Sequence, residues 1–110
     1  MENTIFVKKG EAKYEKKREG KVYNMLMKST MMEAIIAELE EEATSRLYKH
    51  KGEEIHLVLA GKIEYVVGEK KFAMDEGDTL WHRSDIPHGA KNLGKGKAIY
   101  LTVGSPPTFM

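Results

Sequence analysis

A chain of 110 residues at 41% hydrophobic can bury one apolar core and is too short for two. It has no cysteine, which excludes a disulfide framework and thiolate chemistry and leaves imidazole, carboxylate, phenol or water as the only ligands for any metal. Lysine and arginine number 18 against 17 acids, and the net charge of +1 supplies no global field for nucleic acid or an anionic membrane.

Fifteen of the 18 basic residues are Lys and 14 of the 17 acids are Glu, a thermophile-like composition. The opening MENTIFVKKG carries no apolar run behind a basic region, and no later stretch approaches the roughly 20 apolar residues of a membrane span, so a cytoplasmic location is expected.

In chain order, β-signals begin by Ile5, and N-terminal strands are expected within residues 4–29. The mixed-sign run KYEKKREGK, 13–21, reads as a solvated loop or edge strand, with a basic docking patch as the alternative. A strand VYNMLM follows at 22–27. The segment STMMEAIIAELEEEA, 29–43, is locally ambiguous. Thr30 and Glu33 resemble a capping box and its Met, Glu, Ala and Leu residues favour helix. Yet Met32, Ala34 and Ile36 alternate, as do Glu33, Ile35 and Ala37, as on a strand buried on both sides. Short strands then read at 55–60 (IHLVLA), 62–67 (KIEYVV), 70–74 (KKFAM), 78–82 (DTLWH) and 98–103 (AIYLTV), with turn formers between most of them. The GKGK at 94–97 lacks the following helix of a phosphate loop and is a turn. Many short strands at near-regular spacing mean a β-sandwich or barrel.

The chemistry lies in histidines. HKGEEIHLVLAG, 50–61, places His50, Glu54 and Gly61 in a spacing that resembles the second half of the first cupin motif, GxxxxxHxHxxxExxxxxxG. The stretch 77–92 resembles the second, GxxxxxPxGxxHxxxN, through Gly77, His88 and Asn92. With both motifs in order around a hairpin, the chain is similar to a small type-2 cupin over roughly residues 30–107. Its tail VGSPPTF is similar to the end of cupin modules carried at the C-terminus of helix-turn-helix regulators. The resemblance implies an all-β fold, a double-stranded β-helix (jelly-roll) barrel of two antiparallel sheets, as one domain over 1–110 with 31–39 as strand. It also implies a metal site at His50, Glu54 and His88. The family pattern is not complete: Tyr48 stands at its first histidine, Glu42 at its leading glycine, and Arg83 and Asp85 at the proline and glycine of the second motif.

Two imidazoles and one carboxylate on one side of an ion suit Fe, Mn, Ni or Zn with positions open to water or substrate. On a straight strand four steps of about 3.3 Å would separate His50 from Glu54 by some 13 Å, so the chain must bend between them, and Gly52 is the hinge available. Beyond it Glu54, His56 and Val58 share a face by alternation, which points His56 into the barrel as a substrate contact or a replacement ligand. Trp81 and His82 face opposite sides of one strand, and sequence does not fix which faces inward. Without a metal, His50 and His88 would pair with Glu54 as a buried hydrogen-bonded cluster. Tyr48 is a pocket or packing residue or, alternatively, a phenolate ligand. Tyr48, His56 and His82 are therefore the candidate substrate contacts, and no catalytic residue is assigned.

Two functions follow. One is a metal-binding cupin whose barrel holds a small molecule, with oxygenase or isomerase chemistry on the metal. The other is a non-catalytic ligand-sensing or interaction module, metal-free or not. No helix-turn-helix is present in the sequence, so direct nucleic-acid binding is not expected. Met25, Met27, Met31 and Met32 crowd the strands from 22 to 39, more adaptable apolar surface than one barrel face needs, and a homodimer is expected.

Overall fold

The computed structural model describes residues 3–11 and 14–109; Lys13 of the 13–21 charge run lies outside them. The strands are β1 (Tyr14–Arg18), β2 (Lys21–Lys28), β3 (Glu33–Leu39), β4 (Glu53–Ala60), β5 (Ile63–Val67), β6 (Lys70–Met74), β7 (Thr79–Arg83), β8 (His88–Asn92) and β9 (Ala98–Ser105). A six-stranded sheet runs β1-β2-β3-β9-β4-β7 and a three-stranded sheet runs β6-β5-β8. Each pairing is antiparallel. This is the barrel of two sheets that the motifs imply.

The helix-prone segment is a central strand. β3 pairs with β2 on one side and β9 on the other, Ile35 standing opposite both Met25 and Thr102. Glu33, Ile35, Ala37 and Leu39 are buried, with half-buried residues between them. Two hydrogen-bonded ladders and a buried face outweigh helix propensities of at most about 0.7 kcal/mol per residue.

Within the span 4–29 the strands are β1 and β2, and residues 3–11 contain none. Phe6 is 80% exposed, and the β-prone run around it pairs with no strand. The charge run 14–18 is the edge strand β1, mostly exposed, as its mixed charges suggest. Strand β8, HGAKN, was not expected as a strand because Gly, Lys and Asn are poor strand formers; its pairing with β5 imposes it.

Between the sheets Leu39, Val58, Ile63 and Ala98 are almost wholly buried, with Tyr65 and Tyr100 beside them. The chain then crosses from the small sheet to the large one. Residues 43–48 run along β8, with Ser45 N donating to Ala90 O at 2.8 Å and Tyr48 N to His88 O at 2.8 Å. Ser84 N donates to Gly52 O at 2.8 Å, closing the turn into β4. Gly52 has φ +102°, and a Cβ there would lie 2.1 Å from Ser105 O and 2.6 Å from Pro106 Cδ. The hinge is therefore held both by a left-handed backbone and by lack of room.

Glu42, at the family's leading glycine, has φ +66°, a conformation that L-residues adopt only at a cost. Opposite effects are expected at these two turns in urea denaturation. Gly52→Ala should destabilise by more than about 2 kcal/mol, whereas Glu42→Gly should stabilise by up to about 1 kcal/mol. A neutral Gly52→Ala would show that the crossing is not fixed by this turn.

Candidate metal centre and pocket

Glu54 is the point on which the site converges. It is 8% exposed on β4, opposite His82 of β7 and Gly104 of β9. His56 follows two residues later on the same inward face, 1% exposed, and its register partner is Thr102. His88 begins β8 and is paired with Tyr48 across an isolated bridge. The Gly52 turn returns His50 so that its Nε2 lies 3.7 Å from Glu54 Oε2, despite the separation a straight strand would impose. His82 is buried at 4% and Trp81 is 55% exposed, which settles their orientation: the imidazole faces in.

Each imidazole has its Nδ1 occupied. His50 Nδ1 lies 3.0 Å from Lys51 O, His82 Nδ1 2.9 Å from Arg83 O, and His88 Nδ1 2.8 Å from Ile86 O. A carbonyl only accepts, so in these three rings Nδ1 carries the hydrogen and a neutral ring presents a bare Nε2 lone pair. His56 differs, its Nδ1 lying 2.8 Å from the Thr102 hydroxyl, which can donate or accept.

The Nε2 atoms of His88, His82 and His56 stand 3.1, 3.4 and 3.7 Å from Glu54 Oε1. No well-directed hydrogen bond reaches that buried oxygen. Lone pairs facing a carboxylate repel unless a cation stands between them, either a proton or a metal ion. Burial alone would raise the Glu54 carboxyl, but the close His88 imidazole and the charges of His56, His88 and His50 outweigh it and hold the group below its ordinary value. Burial lowers His88 too, yet Glu54 and the Ile86 carbonyl more than compensate and raise it. His82 is lowered, mainly by burial. His56 is pushed down to about 3, burial prevailing over Glu54. The raised His88 and the lowered Glu54 face each other across 3.1 Å, while burial favours the neutral rings of His56 and His82.

Two trios of ligand atoms lie close enough to hold an ion: His50, Glu54 and His88, and Glu54, His56 and His82. The first is the set read from the motif. The second joins the two histidines expected only as pocket or replacement groups, and the sequence signals for it were the alternation on β4 and one unplaced inward face on β7. Beside the centre is a cavity of about 170 Å³ bordered by Tyr23, Tyr48, His50, His56, Tyr65 and Thr108, among others, but not by His82. At about 30 Å³ per water this is room for a small polar molecule and less than a drug-sized site. Tyr48 stands at its edge, 43% exposed. The Tyr23 hydroxyl is buried without a partner, an unfilled polar contact in the wall.

Sequence reasoning missed Glu33. It is 2% exposed and accepts from Thr108 N at 3.1 Å and Phe109 N at 3.2 Å. That grip draws the tail across the cavity, where Thr108 Oγ1 comes within 3.3 Å of His50 Nδ1. A lone Glu in an alternating strand gave no signal of this.

Comparison with known proteins gives a consistent frame. The family profile described as "Cupin domain" matches residues 35–104. An uncharacterized protein of Archaeoglobus fulgidus is 43% identical over 60 residues, 54% of this chain and 57% of that one. The match therefore spans little more than half the length of that relative. Among solved structures, KdgF from Halomonas sp. superposes with a TM-score of 0.84 at 18% identity, covering 96% of this chain and 97% of that one. The cupin domain of an XRE family transcriptional regulator from Enterobacter cloacae superposes with a TM-score of 0.75 at 16% identity, covering 82% and 100%. At such identities the likeness is one of fold.

The buried imidazoles set an acid-stability slope. In the unfolded chain His56 and His82 take up protons near pH 6.5, and in the folded chain they resist, so stability falls as pH drops from about 6.5 toward about 3. Glu54 adds to the loss below about 4.5, its ordinary value. His88 works in the opposite sense, contributing stability below pH 6.5 that is lost as pH rises through its raised value. In chelator, His56→Phe should therefore lose clearly less stability between pH 7 and pH 4.5 than wild type, measured by urea midpoints. Equal losses would show that His56 is not held neutral.

Proposed function

We propose, from the premise that this chain belongs to the cupin family, that it binds a divalent metal ion at Glu54 and a small polar molecule in the adjoining cavity. The observation that carries this is the convergence of Nε2 lone pairs, their Nδ1 hydrogens already committed, on one buried carboxylate oxygen. Backbone carbonyls behind metal-ligating histidines are the usual way such rings are oriented. The family frame names His50, Glu54 and His88 as the ligands, with Fe, Mn, Ni or Zn as the ion. When bound, such an ion supplies a Lewis acid or an oxygen-binding centre, the basis of an oxygenase or isomerase reading. The chain's own residues supply the rest. Tyr48 offers a hydroxyl at the cavity edge, Tyr23 a buried one without a partner, and the tail held by Glu33 limits water.

A second reading is a ligand-sensing module without chemistry, favoured by likeness to the regulator-borne cupin domain. The cavity is common to both readings, the sensing module either holds the ion or is metal-free, and turnover separates them.

The homodimer is also part of the proposal. Met25 is in the core, while Met27, Met31 and Met32 are 39%, 73% and 49% exposed. Across the outer face of the large sheet Ala34, Val103, Ile55 and Trp81 lie in one register row, and Ile36, Leu101 and Leu57 in another. An apolar sheet face of this kind suits a second copy. Light scattering at tens of micromolar should give a dimer mass, and Ile55→Glu should halve it; a wild-type monomer would end this part of the reading.

For the metal, protein purified without an affinity metal should take up about one equivalent or more of Fe, Mn, Ni or Zn at neutral pH. Glu54→Gln, similar in shape but uncharged, should weaken uptake about 100-fold or more. Uptake below about a tenth of an equivalent for all four ions would leave only the metal-free cluster of His50, His88 and Glu54.

A further inference from the structure

The pair His56 and His82 asks for an explanation of its own. Their Nε2 atoms are 2.9 Å apart, and both rings are buried, at 1% and 4% exposure. Tyr65 stacks on His56 with centroids 4.2 Å apart. Two histidines deep in an apolar layer cost desolvation that two aliphatic residues would not. We propose that Glu54, His56 and His82 form a second, inner metal seat, which shares Glu54 with the outer trio and takes a borderline divalent ion such as Zn(II). It rests on the reading of Glu54 as a metal ligand but not on the outer trio being filled.

The geometry fits. Ligands about 2.1 Å from an ion at tetrahedral angles stand about 3.4 Å from one another. The inner trio spans 2.9 Å between the imidazoles and 3.4 and 3.7 Å from them to Glu54 Oε1. Two imidazoles and a carboxylate leave a fourth position, as at an accessible zinc site. All three inner residues are buried, whereas the side chain of His50 in the outer trio is 25% exposed. His56 borders the cavity, which gives an ion its route.

Thr102 makes the seat convertible. With no ion, one hydrogen must lie between the two Nε2 atoms. His82 Nδ1 already donates to Arg83 O, so that hydrogen belongs to His56, whose Nδ1 then accepts from the Thr102 hydroxyl. For His56 to ligate, its proton moves from Nε2 to Nδ1 and the hydroxyl turns to accept it. The ring stays neutral and no proton is released. His82 and His88 have only a backbone carbonyl at Nδ1 and His50 has the Lys51 carbonyl beside the Thr108 hydroxyl, so His56 alone has a hydroxyl with no competing carbonyl there.

The test removes the outer trio and keeps the inner one. The double variant His50→Ala/His88→Ala, titrated with Zn(II) by calorimetry at pH 7.5, should still bind one equivalent. Adding His82→Phe should weaken that binding at least about 100-fold, and adding Thr102→Val instead should weaken it about 10-fold or more. Circular dichroism and urea midpoints check that each variant is folded. Should a variant fail to fold, imidazole ¹⁵N NMR of the unmutated protein decides: Zn(II) should shift the Nε2 resonances of both His56 and His82. Zinc bound by wild type, with no binding by the folded double variant or no shift at His56 and His82, would overturn the inner seat and leave the outer reading standing. No zinc bound by wild type would overturn both.

Discussion

An ionised carboxylate 8% exposed inside a small barrel is the constraint on which the rest of this structure depends. Left alone, Glu54 would take a proton or drive the barrel open, because isolated buried charge costs several kcal/mol. Instead four histidines from β4, β7, β8 and the turn before β4 direct their Nε2 atoms to it. The topology serves that convergence. β4 lies between β9 and β7 in the large sheet, and the 43–48 segment lies on β8 in the small one. The Gly52 turn is where the chain passes between them. A bulkier turn would move His50 and Glu54 together, so backbone strain and site geometry are one problem here.

Much of this was legible because spacing carries geometry. The interval from His50 to Glu54 only makes sense if the strand bends, and the bend falls on the one glycine present. Alternation after it correctly put Glu54, His56 and Val58 on one face. The same parity made β3 readable as a strand despite helix-favouring residues, but only once the motifs had fixed its place. What remained hidden depended on partners distant in sequence. Which of Trp81 and His82 faces inward follows from the register Glu54↔His82, and no local pattern in TLWHR contains that. β8 is a strand because β5 pairs with it, and HGAKN alone argues for a turn. The apolar residues around Phe6 have the composition of a strand but pair with none.

Tyr48 stands where the family motif has a histidine, while His56 and His82 are two further buried imidazoles beside Glu54. Tyr48 puts a hydroxyl at the pocket's edge, and Tyr23, Tyr65 and Tyr100 continue the phenolic wall. Burial raises Tyr65 and Tyr100 well above the ordinary phenol value and Tyr23 to about 12, so these hydroxyls stay neutral beside Glu54. A wall of neutral donors suits a ligand that offers oxygen acceptors.

Access to that wall is decided at Glu33, the second buried carboxylate. Its two oxygens accept from the amides of Thr108 and Phe109, and Phe109 packs edge-on against Tyr14 at 5.6 Å and beside Tyr23 at 6.1 Å. The edge strand β1 and the chain's last turn are thereby joined above the cavity. Hydrogen bonds from backbone amides to an ionised group are about twice as strong as neutral ones, so the tail is held more firmly than its exposure suggests. Thr108 also contacts His50, so the grip of Glu33 on the tail and the placing of that imidazole at the cavity wall are coupled through one contact.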